Sequence, residues 1–193
     1  PGLVKLVHEG DFVGVVCKTP SAVDAAMAQI KVTWNLEQPI SQLAIDSLID
    51  VDAEMMDGDL EHVLQDEAHR DTVDWDIDLR FEVQVQTHAQ QEARAAIARF
   101  NESTAAHELE IWTGTQDPWA IKRAAAVDAG LSQDDVVVYP QRLGGGFGGR
   151  EYYEVESDAV RLARAVKSPV QEQGTRHDGF TAGRYRPDST HRL

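Results

Sequence analysis

The chain has 193 residues, of which 42% are hydrophobic, and this is enough apolar material for one sizeable core or two small ones. Thirty-three acidic residues against 18 basic ones give a formal net charge of −15. This charge repels nucleic-acid phosphates, and no stretch approaches the roughly 20 apolar residues of a membrane span, so the sequence argues against both a nucleic-acid partner and a spanning helix.

Residues 1–35 follow a strand, helix, strand pattern. A β-branched run predicts a strand at Phe12–Cys17, and a second one predicts a strand at Lys31–Trp34. Between them, Thr19 and Pro20 are typical of a helix start and precede an Ala-rich amphipathic stretch. Cys17 is the only cysteine, so it cannot form a disulfide within the chain or supply paired thiolates to a metal. Its apolar neighbours predict a buried, unreactive thiol.

Residues 36–80 are predicted to be an acidic connecting segment. Short stretches with periodic apolar residues occur at Ile40–Leu48 and Leu60–Leu64, and acidic residues are concentrated from Asp46 to Asp78. Because no regular Asp-x-Asp-x-Asp-Gly loop is present, we interpret the acidic residues as a solvated surface and not as a cation site.

Residues 81–193 predict an α/β layer. Alternating residues indicate strands at Phe81–Val85 and Leu109–Thr113, while Ala93–Phe100 fits either a helix or a strand. A helix (AIKRAAAVDAGL) closed by Gly130, a strand (DDVVVYPQRL), a helix (EYYEVESDAVRLARAV) and a strand (SPVQEQGTR) follow. The buried face of the second helix is predicted to consist of Val155, Ala159, Leu162, Ala163 and Val166.

The glycine-rich stretch LGGGFGGRE, Leu143–Glu151, lies between a predicted strand and a predicted helix. Its glycines permit positive φ angles and close backbone approach, and the free N–H groups of a following helix favour an anionic or bulky ligand. The stretch is not a P-loop, because no Lys-Ser/Thr follows the last glycine, and it fits GxGxxG only loosely. An ordinary structural turn remains an alternative.

A second candidate stretch, TGTQDP, ends the strand Leu109–Thr113. Gln116 carries an amide donor and a carbonyl acceptor at a strand-to-helix junction, where side chains commonly face a ligand. The alternative is a helix start in which Asp117 caps a helix that begins at Pro118.

Four ordered blocks resemble the large, molybdopterin-binding subunit of the xanthine dehydrogenase/aldehyde oxidase family. DFVGVVCKTPSAVDAAMAQIKVTW is similar to its small hammerhead-like lobe, and QTHAQQEARAAIARF to its T/E-T/H-H-A-x-x-E-P segment. IWTGTQDPWAIKRAAAVDAGLSQDDVVVYPQRLGGGFGGRE resembles the family's T-Q-x-P and G-G-x-F-G-G stretch. YRPDSTHRL, after KSPVQEQGTRHDGF, points to the branch that contains the isoquinoline 1-oxidoreductase β subunit.

The resemblance implies a fold and a cofactor site. The fold would be mixed α/β, with the end of a hammerhead-like lobe followed by part of a molybdopterin-binding domain at residues 81–193. Gln116 would donate to an oxo ligand of molybdenum, and Phe147 with Gly148 would bring backbone N–H groups to the metal and the pterin. The implied cofactor-binding residues are Gln116, Gly144, Gly145, Gly146, Phe147, Gly148, Gly149 and Arg150.

Neighbouring residues are assigned less directly. Glu151 falls where the xanthine-type branch places a carboxylate that faces the substrate, although an acid stabilised at a helix start explains it equally. We interpret His88 as a packing or hydrogen-bonding residue, because the family binds its metal through the pterin. Glu92 lacks the proline that follows it in the family, and the segment with Arg176 and His177 is expected to organise the fold.

The resemblance implies that the parent protein is a molybdenum-dependent oxidoreductase. Such an enzyme hydroxylates an N-heterocycle or an aldehyde with oxygen from water, uses molybdenum-molybdopterin, including its cytosine dinucleotide form, and passes electrons to a subunit with two [2Fe–2S] clusters. The family's catalytic glutamate has no counterpart here, so we expect a piece of the large subunit that is inactive and without cofactor in isolation. The compartment, bacterial cytoplasm or periplasm, stays open.

Two alternatives from other classes remain at this point. The chain could be a nonenzymatic α/β module that binds a nucleotide or another anion with its glycine-rich loop. It could also be an assembly domain that docks an iron–sulfur subunit without using Gln116 or Phe147.

Overall fold

A computed structural model describes residues 2–34, 39–50, 77–102 and 105–192. Its strands are β1 (Leu3–Glu9), β2 (Phe12–Cys17), β3 (Arg80–Val83), β4 (Gln86–Thr87), β5 (Ala95–Phe100), β6 (Leu109–Thr113), β7 (Val136–Pro140), β8 (Val170–Gln173), β9 (Tyr185–Arg186) and β10 (Ser189–Arg192). Its α-helices are α1 (Pro20–Met27), α2 (Gln42–Leu48), α3 (Pro118–Ala129), α4 (Val155–Val166) and α5 (Arg176–Thr181). Helices and open sheets are mixed, as the predicted α/β class requires.

The chain divides into two compact units. The first unit contains residues 1–32 and 87–184, and the second contains residues 33–86 and 185–193. The sequence-based boundaries at residues 35 and 80 stay a prediction about domains.

A four-stranded sheet in the order β7-β6-β5-β8 organises the first unit. Strand β5 runs antiparallel to β6 and β8, whereas β6 and β7 are parallel, with Leu109 opposite Val136 and Thr113 opposite Pro140. Parallel strands end at the same edge of a sheet. The segments that follow β6 and β7, which contain Gln116 and the glycine-rich stretch, therefore begin side by side.

The core lies between this sheet and the helices α3 and α4. Strand β6 points Leu109 and Ile111 inward, with no exposed area on either, and each contributes about 1.5–3 kcal/mol through burial. The opposite face carries Trp112, whose ring stacks on Tyr139 at 5.2 Å. Other residues that complete the core are Ala96, Ala98, Ile121, Ala125, Val136, Ala159, Val160, Leu162, Ala163 and Val170.

Helices α3 and α4 match the sequence patterns in their central turns. Asp117 caps α3 by accepting the N–H of Ala120 at 2.9 Å, and Gly130 ends the helix in the left-handed conformation, as predicted. The predicted buried face of α4 is confirmed at Ala159, Leu162 and Ala163.

Two boundaries near α4 and β5 differ from expectation. Helix α4 begins at Val155 and not at Glu151, because residues 151–154 form bends before the first helical turn. The ambiguous segment Ala93–Phe100 is a strand, since Ala95–Phe100 finds hydrogen-bonding partners on both sides, in β6 and β8.

The N-terminal part of the first unit is a hairpin, β1–β2, with α1 packed beside it. Strand β1, Leu3–Glu9, was not predicted, and the predicted strand at Lys31–Trp34 is wrong. A β-branched run forms a strand only where a neighbour completes its hydrogen bonds, and within the described residues none does so for Lys31–Trp34. Cys17 is partly and not fully buried, with its Sγ 3.5 Å from the carbonyl of Ala22.

The second unit contains α2 and the antiparallel pair β3–β10, in which Ser189 lies opposite Val83. Arg192 donates to both oxygens of Asp78, at 2.8 and 2.6 Å, and this ion pair holds the pKa of Asp78 below its usual value. Strand β3 ends two residues before the predicted Val85. The stretch Leu60–Leu64 and residues 51–76 of the acidic segment lie outside the described residues.

Within the described ranges, no helix has the length and apolar character needed to cross a membrane.

Candidate functional site

The glycine loop, Gly144–Arg150, lies beyond the end of β7 and folds beside the segment that leaves β6. Gly145 and Gly148 have φ angles of 99° and 94°, which glycine adopts without strain. Phe147 also has a positive φ, 55°, and its side chain is 73% exposed. A bulky residue in this conformation at a loop apex is uncommon, so the surrounding contacts must fix the shape of the loop.

Gln116 is hydrogen-bonded to the glycine loop, as expected from the parallel strands. Its side-chain Oε1 accepts the main-chain N–H of Gly148 at 2.9 Å and that of Arg150 at 3.2 Å. The main-chain N–H of Gln116 donates to the carbonyl of Arg150 at 2.9 Å. These bonds assign the acceptor end of the amide to the loop. Within the described residues, Nε2 donates to no acceptor, so it is left as a donor for a ligand.

Further donors lie on the loop itself. The N–H of Gly149 is used inside the loop, donating to the carbonyl of Gly146 at 2.8 Å. The N–H groups of Gly145, Gly146 and Phe147 have no acceptor among the residues that the structure describes. The loop therefore carries three consecutive free N–H groups, and the N–H of Gly148, which the resemblance directed to the cofactor, is already bonded to Gln116.

Three glycines of the loop make room for side chains of other segments: Gly144 for Glu92, Gly146 for Gln116 and Gly149 for His88. A Cβ at Gly146 would lie 2.4 Å from Oε1 of Gln116, and a Cβ at Gly144 would lie 2.4 Å from Cβ of Glu92. These separations exclude any side chain at either position unless the neighbour moves. The sequence suggested close approach to a ligand, whereas these glycines admit residues of the protein itself.

Arg150 closes the loop and points into the protein. Its side chain is only 3% exposed, and its Nη2 donates to the carbonyl of Glu92 at 2.5 Å. Nη1 lies 2.9 Å from Oε2 of Glu92 and 3.5 Å from the carbonyl of Gly114. Its Nε is buried and has no hydrogen-bond partner among the described residues. The buried guanidinium thus connects the glycine loop to the segments that contain Glu92 and Gly114. The sequence analysis did not predict the Glu92–Arg150 ion pair.

A second layer of charged groups supports the loop. Arg94 donates to the carbonyl of Gly149 at 2.6 Å and forms an ion pair with Glu154, and burial lowers the pKa of its guanidinium. Glu156 is buried in the first turn of α4 and accepts the hydroxyl of Thr113 at 2.5 Å. Burial raises the pKa of Glu156, while the hydrogen bond from Thr113 opposes this shift.

Glu151 is exposed and lies four residues before α4 begins, so its interpretation as a helix-start acid is wrong. The helix begins after its N-cap, Glu154, and Glu151 sits in a bend three residues before that cap. A contact with substrate remains the role that the resemblance assigns to it.

The other residues that the resemblance singled out have structural contacts. The ring of His88 packs on Gly149, and its Nδ1 lies 3.2 Å from the carbonyl of Arg184. Arg176 donates to the carbonyl of Gln90. These contacts agree with packing and organising roles.

A cavity of about 680 Å³ opens in the first unit, and its lining includes Glu92 and Arg94, which both contact the glycine loop. Two of its arginines, Arg94 and Arg184, pair with Glu154, and Asp178 accepts the hydroxyl of Thr175 at the start of α5. Burial raises the pKa of Asp158 and of Glu172, which also line the cavity. Within the described residues, no group of three or more His, Cys, Asp or Glu side chains is placed to hold a metal ion.

Comparisons with known proteins agree on one family. A family model described as the Molybdopterin cofactor-binding domain matches residues 43–193. The chain is 28% identical, over 187 residues, to one of the subunits of nicotinate dehydrogenase from Pseudomonas putida, a match that covers 91% of this chain and 15% of that protein. It is also 34% identical over 83 residues to a xanthine dehydrogenase from Emericella nidulans, covering 42% of this chain and 6% of that one.

Solved structures share the fold. A Cu,Mo-CO dehydrogenase in its carbon monoxide reduced state superposes with a TM-score of 0.70 at 15% identity, covering 90% of this chain and 24% of that one. Quinoline 2-oxidoreductase from Pseudomonas putida 86 superposes with a TM-score of 0.64 at 21% identity, covering 93% and 24%. The chain thus spans only a small part of each protein that it resembles.

Proposed function

Because the chain belongs to the Molybdopterin cofactor-binding domain family, we propose that it is part of the large subunit of a molybdenum hydroxylase and forms one wall of its cofactor site. The wall consists of Gln116 and the glycine loop. The parent protein would be an oxidoreductase, and this chain would supply contacts to the cofactor and not the catalytic base.

The observation that carries the proposal is the orientation of the Gln116 amide. Its Oε1 is occupied by the N–H groups of Gly148 and Arg150, so Nε2 is the end available to a ligand. Three N–H groups, those of Gly145, Gly146 and Phe147, offer further donors beside it. A group rich in acceptor atoms, such as a pterin with its oxygens and phosphate, fits such a set of donors.

When bound, molybdenum-molybdopterin supplies the redox chemistry of a hydroxylation that takes its oxygen from water. The residues of this chain bind and orient: Gln116 donates from Nε2, the loop donates from its backbone, and Phe147 covers the site with an exposed ring. Arg150 contributes through its main chain and by anchoring the loop. The cytosine dinucleotide form of the cofactor belongs to the same proposal.

We propose an N-heterocycle or an aldehyde as the substrate of the parent protein, with Glu151 as a substrate contact. The relative named nicotinate dehydrogenase and the structure named quinoline 2-oxidoreductase carry heterocycles in their names, which supports the first class. We propose the branch of isoquinoline 1-oxidoreductase within this class. A subunit with two [2Fe–2S] clusters is proposed as the electron acceptor.

The 193-residue chain alone is proposed to lack the cofactor. Gln116 and Phe147 are exposed, and affinity for a cofactor of this size comes from enclosure as well as from a few hydrogen bonds. The nucleotide-binding module gains no support from the relatives, none of which bears a name that refers to such a role.

The test compares Gln116→Ala with Gln29→Ala in the longer protein that contains this chain. Gln29 is an exposed glutamine in contact with the carbonyl of Ala25, far in sequence from the loop, and serves as the matched control. We expect Gln116→Ala to lose about tenfold or more in hydroxylase turnover or in molybdenum retained per chain, since removing a group that orients a metal site has effects of this size.

Metal analysis, pterin fluorescence and dye-linked turnover provide the measurements. Wild-type protein without molybdenum, or a Gln116→Ala variant with the metal content and turnover of Gln29→Ala, would contradict the proposal.

A further inference from the structure

One carboxylate oxygen holds both ends of the glycine loop. Oε2 of Glu92 accepts the N–H of Gly144, the first residue of the loop, at 2.8 Å. The same oxygen lies 2.9 Å from Nη1 of Arg150, the last residue. The N–H of Glu92 also donates to the carbonyl of Gly144 at 3.2 Å, so the two residues are joined in both directions.

We call these contacts of Glu92 with Gly144 and Arg150 the clamp. Arg150 connects the clamp to the rest of the fold. Its Nη2 donates to the carbonyl of Glu92 at 2.5 Å, and its Nη1 lies 3.5 Å from the carbonyl of Gly114, just beyond β6. The side chain of Arg150 is 3% exposed, whereas that of Glu92 is 49% exposed. Solvent therefore screens the carboxylate side of the pair, and the directed hydrogen bonds matter more than the net attraction of the charges.

A loop with five glycines among seven residues needs such a clamp. Glycine loses more backbone freedom on ordering than any other residue. Because Gly144, Gly145 and Gly146 have no side chains, packing cannot offset this loss. Fixing the two ends to one group reduces the number of conformations open to the residues between them.

The clamp also controls Gln116. The N–H groups that bond to Oε1 of Gln116 belong to Gly148 and Arg150, inside and at the end of the clamped loop. If the ends of the loop separate, these N–H groups move, and the amide of Gln116 loses the bonds that leave Nε2 free for a ligand. Glu92 does not need to touch the ligand to affect it.

We propose that Glu92 is a positioning residue, which staples Gly144 to Arg150 and thereby presets the glycine loop and the Gln116 amide for their ligand. The clamp is a property of this chain, and its benefit to molybdopterin rests on the proposed function. The two can therefore be measured separately.

The test measures amide hydrogen exchange by NMR in the 193-residue chain and in its Glu92→Gln and Glu92→Ala variants. Glu9→Gln is the matched control, because Glu9 is 50% exposed and also faces an arginine, with its Oε2 3.6 Å from Nη2 of Arg164. We expect the amides of Gly144, Gly148 and Arg150 to exchange roughly tenfold faster in Glu92→Ala. Glu92→Gln keeps an acceptor for Gly144 and should lie between that variant and the wild type.

The core amides of β5 and β6 should keep their wild-type exchange in both variants. Unchanged exchange of the loop in Glu92→Ala overturns the proposal, and so does an equal acceleration of the loop and the core, which would make Glu92 a general stability residue. In the longer protein, Glu92→Ala should lower molybdenum content in step with loop exchange. A faster-exchanging loop together with wild-type protein that binds no molybdenum would leave the clamp standing and remove the proposed function.

Discussion

At the scale of single residues, a side chain at position 146 would compete with Gln116 for the same space. The Cβ of Gly146→Ala would meet Oε1 and Cδ of Gln116 at 2.4 and 2.6 Å. Both atoms belong to the far end of a flexible side chain, so we expect Gln116 to move away and release the N–H groups of Gly148 and Arg150. The stability cost should be about 1 kcal/mol, or about 2–4 °C in Tm, with faster exchange of those two amides.

Gly179→Ala is the control for this prediction, since a Cβ at Gly179 meets nothing within 4 Å and the residue lies in helix α5. Alanine there should stabilise the chain by about 0.5–1 kcal/mol. Thermal unfolding and NMR exchange separate the two outcomes. Retained protection of Gly148 and Arg150 in Gly146→Ala would show that the loop, and not Gln116, yields to the added methyl group.

At the scale of secondary-structure elements, the N-terminus of α3 holds the segment that carries Gln116. Asp117 accepts the N–H of Ala120, and Thr115 donates its hydroxyl to the carbonyl of Arg150 at 3.0 Å. We predict that Asp117→Ala lowers the free energy of unfolding by about 1 kcal/mol, because it removes the cap. Asp117→Asn keeps an acceptor and should recover most of the loss in urea denaturation. Equal midpoints for Asp117→Ala and the wild type would contradict the prediction.

The elements also show which features of the site could be foreseen. Helix α3 was predictable because its cap, its first proline and its terminal glycine are all local signals. The resemblance assigned Gln116 and the glycine loop to one cofactor site, and the parallel strands β6 and β7 bring the two together at one edge of the sheet. Strand β1 and the missing strand at Lys31–Trp34 were not predictable, because strand formation depends on a partner elsewhere in the chain. The Glu92–Arg150 clamp joins residues 58 positions apart, and no local pattern marks it.

At the scale of the whole molecule, a net charge of −15 coexists with carboxyl groups that are buried or partly buried in the first unit. Burial raises the pKa values of Glu156, Asp158 and Glu172, so each protonates more readily in the folded chain than in the unfolded one. As the pH rises past the ordinary pKa of such a group, the unfolded chain loses its proton first. The free energy of unfolding therefore falls as the pH rises from the ordinary pKa of the group to its raised pKa in the folded chain.

Glu156→Gln tests this coupling, since glutamine keeps an acceptor for Thr113 and cannot ionise. The wild type should lose stability as pH rises from about 4.5, the ordinary value for glutamate, through the raised pKa of Glu156. The variant should lose less, so the gap between their urea midpoints should move in favour of Glu156→Gln toward neutral pH. Gln29→Ala, which changes no ionisable group, should run parallel to the wild type. Parallel curves for Glu156→Gln and the wild type would mean that the ion pairs around Arg94 fully offset the burial of the Glu156 carboxylate.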